Sequence, residues 1–165
     1  MTTQSKYSEE EWQLLIDGPA LVGLAVMLAG KSGLGSMKES MAVAAGILSG
    51  RSEYADNELI QGLIESRVKD GKRSSVENLS SDNPYLGMKP DELVTAVADR
   101  CREIDSLLDR NANSTEAGEY KRWMVDVGQR VAEAAKEGGF LGIGGERVSE
   151  AEVDSLNQIR TALNM

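Results

Sequence analysis

Histidine is absent from this 165-residue chain, and cysteine occurs once. Without histidine the chain cannot build Ser-His-Asp or Cys-His catalysis, a His-ligated zinc site or a His-bound haem. A single cysteine also excludes an internal disulfide and metal sites that need several thiolates from one chain. The remaining chemistry is that of carboxylates, Lys, Arg, Tyr, Ser and the backbone. We find no assembled catalytic set, no cofactor is expected, and whether the chain is an enzyme stays open.

Basic residues are in the minority, with 18 Lys and Arg against 27 Asp and Glu, for a net charge of −9. An acidic surface repels phosphate backbones and anionic headgroups, so we expect neither a nucleic-acid nor a membrane partner. The one basic run, Arg67, Lys69, Lys72 and Arg73, has no interleaved aromatic residue on which bases could stack. The N-terminus lacks an apolar signal core, and the apolar stretch 18–30 is shorter than the ~20 residues of a bilayer span. These features predict a cytoplasmic protein.

Aromatic residues make up only 4% of the chain, although 41% is hydrophobic. The apolar residues are mostly aliphatic with small side chains, and such side chains allow helices to pack closely. No run alternates with the period of two that a strand needs, whereas helical spacing recurs throughout. We predict an all-α, compact single domain of about six helices over residues 1–165. A polar loop at 72–88 would separate two halves of three helices each.

Several helix starts are marked by local chemistry. Ser8, Ser36 and Ser149 each precede a Glu by three residues, the pattern of a capping box. Gly18-Pro19 predicts a kink or break in the first helix, with Pro19 opening a second piece, because proline lacks the N–H that the helix ladder uses. The apolar residues 18–30 are expected at the centre of the bundle.

Each later helix has an apolar stripe at helical spacing that is expected to be buried. The stripes are Met37, Met41, Ala44, Ala45 and Leu48; Leu59, Ile60, Leu63, Ile64 and Val68; Leu93, Val94, Val97, Cys101, Ile104 and Leu108; Tyr120, Met124, Val127, Val131 and Ala134; and Val153, Leu156, Ile159 and Leu163. In this setting Cys101 is predicted to be a buried structural thiol. The pattern does not show which stripes meet within one chain, so self-association through an exposed stripe is left open.

A cluster of carboxylates offers one candidate site. Asp99, Glu103 and Asp105 lie within two helical turns, and paired carboxylates can hold a hard cation such as Mg²⁺ or Ca²⁺. Such residues are more often a solvated helix face, balanced here by Arg100, Arg102 and Arg110.

Two glycine-rich turns offer candidate anion sites. In the run 138–145, Gly139, Gly142, Gly144 and Gly145 could turn backbone N–H groups toward a phosphate. The run lacks the Gly-Lys-Ser/Thr ending of a P-loop, and a helix C-cap followed by a tight turn is the ordinary interpretation of such a run. The turn 33–36, with Lys31 upstream, is a similar candidate and equally a plain interhelical turn.

Two segments resemble known families. RVAEAAKEGGFLGIGGERVSEAE, residues 130–152, is similar to a segment of a family of small uncharacterised bacterial proteins, which implies a bacterial, cytoplasmic protein. LAVMLAGKSGLGSMKESMAVAAGIL, residues 24–48, resembles the helix–turn–helix units of tellurite-resistance-B-like domains. Those units carry acidic residues in the turn where this chain has Lys31 and Gly35, so the resemblance implies no metal site here.

The leading hypothesis is a non-enzymatic binding or interaction module of a bacterial cytoplasm, with a role in stress response. Its partner would be another protein or a second copy of the chain. The alternatives are a carboxylate-based metal-binding protein or enzyme, and anion binding through the glycine-rich loop 138–145.

Overall fold

The computed structural model describes residues 4–30, 37–72, 83–85, 87–137 and 148–165. Within these ranges the chain forms six α-helices and no strand: α1 Glu9–Ala29, α2 Met37–Glu53, α3 Glu58–Lys69, α4 Pro90–Asn111, α5 Ser114–Glu137 and α6 Glu150–Ala162. A single turn of 3₁₀-helix, Gln4–Lys6, precedes α1. The prediction of an all-α bundle of about six helices is confirmed.

Two of the three predicted capping boxes are present. The Ser8 hydroxyl accepts a hydrogen bond from the Glu11 amide at 3.1 Å, and the Glu11 carboxylate accepts one from the Ser8 amide at 2.8 Å. Ser149 and Glu152 make the same exchange at the start of α6. Each box satisfies two amides that a helix start otherwise leaves without partners. Ser36 lies outside the described residues.

Helix α1 lies at the centre of the bundle and contacts each of the other five helices. Residues 18–26 are all buried, and residues 27–30 are partly buried. Among the described helices, α1 alone has the length and hydropathy of a membrane span, with a mean hydropathy of 1.6 over its most apolar window. Inside this bundle 67% of that window is buried, as in a core helix.

The sequence predicts a kink or a break at Gly18-Pro19. Helix α1 is continuous through both residues, so it is not broken and Pro19 does not open a separate piece. Proline cannot donate to the carbonyl four residues earlier, which here belongs to Leu15. The Tyr120 hydroxyl donates to that carbonyl at 2.6 Å. A side chain of α5 thus supplies the hydrogen bond that proline removes from α1.

The predicted stripes of α4, α5 and α6 are mostly buried. All six stripe residues of α4 are buried, as are Tyr120, Met124, Val127 and Val131 in α5. Leu156, Ile159 and Leu163 of α6 are buried too, whereas Val153 is 43% exposed. In α3 the stripe is buried except for Val68, which is 55% exposed. Most of the polar loop 72–88 lies outside the described residues.

Candidate functional site

The apolar stripe of α2 faces outward, and the expectation that it is buried is wrong. Met41 is 65% exposed and Leu48 is 50% exposed, and Ala44 and Ala45 between them are exposed as well. We call these four residues the α2 face. Met41 and Leu48 are seven positions apart, two helical turns or about 10 Å along the axis, so the face is a continuous apolar strip.

The opposite side of α2 enters the core. It consists of Glu39, Val43, Gly46, Ile47 and Gly50, all of them buried. A large side chain at either glycine would have no room. A Cβ on Gly50 would lie 2.7 Å from Trp123 Nε1, and one on Gly46 would lie 3.2 Å from Val127 Cγ2.

Close approach of α5 therefore decides which side of α2 is inside. The Trp123 indole N–H donates to the Gly46 carbonyl at 3.2 Å, a contact that needs the two helices nearly touching. The helical periodicity is read from large apolar side chains and ignores glycine. It therefore predicts that the wrong side of α2 is buried. The spacing Gly46-x-x-x-Gly50 is the signal that could have identified the packing side.

Polar contacts hold the C-terminal end of α2 rigidly in place. The Tyr54 hydroxyl, just beyond α2, donates to Asp126 Oδ2 at 2.7 Å. Burial raises the pKa of Tyr54, and the hydrogen bond to Asp126 raises it further. Gln61 Nε2 on α3 donates to the carbonyl oxygens of Gly50 and Tyr54 at 3.1 and 2.8 Å. The α2 face thus lies on a helix anchored to both α3 and α5.

A buried asparagine fixes the turn between α2 and α3. Asn57 Oδ1 accepts a hydrogen bond from the Ile60 amide at 3.0 Å and caps α3. Its Nδ2 donates to Glu119 Oε2 at 2.9 Å and to the Glu116 carbonyl at 3.2 Å, both on α5. One side chain therefore satisfies the helix start and connects it to α5.

The predicted metal-ligand carboxylates each face a cation of the chain. Asp99 pairs with Arg102 at 2.5 Å, and Glu103 pairs with Arg100 at 2.8 Å, both on the exposed side of α4. The Glu103 pairing, together with a hydrogen bond to Tyr85, raises the pKa of Arg100.

Asp105 lies inward, where it pairs with Lys121 of α5 and accepts a hydrogen bond from Asn164 Nδ2 at 3.2 Å. Both side chains of the ion pair are only 12% exposed. Among the described residues no group of three or more His, Cys, Asp or Glu side chains is placed to hold a metal ion. The metal-binding hypothesis has no contact in its favour and stays a prediction.

The predicted anion sites cannot be placed. Gly139, Gly142, Gly144 and Gly145 lie outside the described residues, as do Lys31 and the turn 33–36. Anion binding at either turn stays a prediction.

Buried nucleophilic groups are held in their neutral forms. Burial raises the pKa of the Cys101 thiol to about 12, and the thiol is 1% exposed, which confirms that it lies in the core. Burial also raises the pKa of Tyr120, whose hydroxyl donates to Leu15. Groups held protonated and covered by neighbours serve packing and hydrogen bonding and are poor nucleophiles at neutral pH.

An open groove of about 810 Å³ lies between the N-terminal half of α1, the turn at Pro84-Tyr85 and α4. Its lining mixes Glu9, Glu10 and Asp17 with Arg100. The carboxylates follow one side of α1 and do not surround a common point with a general base or a nucleophile. The described residues that line the groove therefore form no recognised catalytic set.

Comparison with known proteins adds no relative: no protein-family model matches the chain, and neither a curated protein nor a solved structure matches it.

Proposed function

We propose that this protein is a non-enzymatic interaction module that docks a protein partner on the α2 face. The observation that carries the proposal is the pair Met41 and Leu48, 65% and 50% exposed on a helix whose other side is core. Scattered exposed apolar residues are normal on a protein surface. A strip with helical spacing on an anchored helix is typical of a surface that a second helix covers.

The energetics favour a modest but specific interaction. Covering a Met or Leu side chain completely is worth roughly 1.5–3 kcal/mol each, and Ala44 and Ala45 allow a partner backbone to approach closely. Because Gln61, Tyr54 and Asn57 already fix α2, little ordering free energy is spent on the module's side when a partner docks. A bacterial cytoplasmic setting and a role in stress response, implied by the sequence resemblances, belong to the proposal as well.

The proposal is tested with a photo-crosslinking residue placed at Leu48 in the producing cell. Val153, 43% exposed on α6, is the matched control because it is an exposed apolar residue on another helix, away from the α2 face. We expect one defined adduct from the Leu48 probe, none of the same mass from the Val153 probe, and loss of the adduct when Met41→Glu is added. Identical adducts from the two positions, or none from Leu48, would reject the α2 face as a docking site.

A further inference from the structure

Two unpaired cations lie at the ends of the α2 face. Lys38 and Arg51 are exposed, and neither forms an ion pair within 4 Å with a described carboxylate. The two acidic residues of α2 do not offset them on this surface. Glu39 is 1% exposed on the inner side, and Glu53 is held by Arg130 at 2.5 Å. An acidic protein of net charge −9 thus carries an exposed Lys or Arg at each end of an apolar strip, with Glu65 of α3 as a described carboxylate whose pKa is lowered first by Lys69 and also by the Arg51 charge.

The positions of these cations along the helix set the geometry. Lys38 precedes Met41 by three residues and Arg51 follows Leu48 by three, so the charges flank the apolar strip symmetrically. Thirteen residues of helix separate them by about 20 Å. A helix of some five turns is long enough to reach both.

A second copy of the chain is a poor occupant for this strip. In an antiparallel two-fold pairing Met41 meets Leu48 of the other copy, and Lys38 lies at the level of Arg51. In a parallel two-fold pairing each cation lies at the level of its own copy. A closed dimer uses the same patch on both subunits, so either arrangement brings four cations to one interface.

We infer that the α2 face binds an acidic amphipathic helix of another protein, one with apolar residues along one side and an Asp or Glu near each end of that side. The inference rests on the proposed docking function and adds the chemistry of the partner. Carboxylates at the ends would pair with Lys38 and Arg51, while the apolar side covers Met41 and Leu48. Repulsion between two acidic proteins acts at long range and is screened beyond about 8 Å in physiological salt, whereas the end contacts act at close range.

Two synthetic peptides test the inference against the full-length chain. Both are helical peptides of about 18 residues with the same Leu and Ala side. One carries Glu near both ends of that side, and the other carries Lys at the same two positions. Binding is measured by fluorescence anisotropy. We expect the Glu peptide to bind about tenfold more tightly, since two exposed attractive pairs replace two repulsive ones.

Two kinds of variant distinguish the acidic character of the partner from the docking function itself: charge reversal at Lys38 and Arg51, and removal of the apolar contact at Leu48. In the double variant K38E/R51E the preference should reverse in favour of the Lys peptide. Leu48→Ser should weaken the binding of both peptides.

Equal binding of both peptides, weakened by Leu48→Ser, would overturn the acidic partner and leave the docking function intact. Failure of both peptides to bind, or indifference to Leu48→Ser, would overturn both claims. A dimer that sedimentation detects and Leu48→Ser dissociates would identify a second copy as the occupant and overturn the inference.

Discussion

A single hydroxyl allows proline to sit inside the central helix. Pro19 leaves the Leu15 carbonyl without its helix donor, and the fully buried Tyr120 hydroxyl donates to it at 2.6 Å. Gly18 provides the space, because a Cβ there would lie 2.5 Å from that hydroxyl. Local spacing predicts a kink or break at Gly18-Pro19, because it cannot reveal that a hydroxyl 105 residues from Leu15 donates the replacement hydrogen bond.

This arrangement predicts coupling between Tyr120 and Pro19. Tyr120→Phe should lower the free energy of unfolding by about 1–3 kcal/mol, because it leaves a buried carbonyl unsatisfied. In a Pro19→Ala background the alanine N–H can donate to Leu15, so the same change should cost at least about 1 kcal/mol less. Urea unfolding followed by circular dichroism of the four proteins measures the cycle. Equal costs in the two backgrounds would show that the hydroxyl does not replace the missing donor.

At the scale of elements, the sequence correctly predicts that the helices exist and which side of most of them is buried. The capping boxes at Ser8 and Ser149, the start of α4 at Pro90 and the buried stripes of α4 and α5 are confirmed because each depends on local spacing. The orientation of α2 depends on how closely α5 approaches, a tertiary property. The periodic pattern therefore identifies the residues of the candidate site, Met41 to Leu48, but it predicts that they are buried, whereas they lie on the exposed side of α2.

Glycine at the α2–α5 crossing should be irreplaceable, in contrast to Gly118 of α5. Gly50→Ala would place a Cβ 2.7 Å from the buried Trp123 ring nitrogen, so we expect a loss of about 1–3 kcal/mol of stability. A Cβ added at Gly118, in the same helix as Trp123, would meet no atom within 4 Å, so Gly118→Ala should gain about 0.5–1 kcal/mol. Thermal and urea unfolding compare the two variants. A stabilising Gly50→Ala would mean that the helices cross less closely than described.

At the scale of the whole molecule, burial of protonated groups predicts sensitivity to alkali. The pKa of Cys101 rises from 9.0 to about 12 and that of Tyr7 from 10.0 to about 12, both mainly through burial. The folded state thus keeps protons that the unfolded state releases, so stability is fully present below pH ~9 and declines as the pH rises toward about 12.

Cys101 and Tyr7 should each contribute a separable part of the decline, beside Tyr54 and Tyr120, whose pKa values burial also raises. Cys101→Ala should remove the part of the pH dependence that begins near pH 9, and Tyr7→Phe should reduce the part that begins near pH 10. The slope of the unfolding free energy against pH, measured by urea titration at each pH, is the readout, so a constant loss of stability in either variant does not affect it. A wild-type protein whose stability is unchanged between about pH 8.5 and 11 would contradict the prediction.

Both proposed properties of the α2 face depend on which side of α2 lies in the core, and two adjacent residues test this most directly. Ile47 is 2% exposed and Leu48 is 50% exposed. The free energy of unfolding should fall by about 3–5 kcal/mol in Ile47→Ser, since it loses a buried side chain. In Leu48→Ser it should fall by only about 0.5 kcal/mol, the difference in helix propensity. A Leu48→Ser variant as unstable as Ile47→Ser would place the α2 face inside the bundle and remove the surface on which both proposals rest.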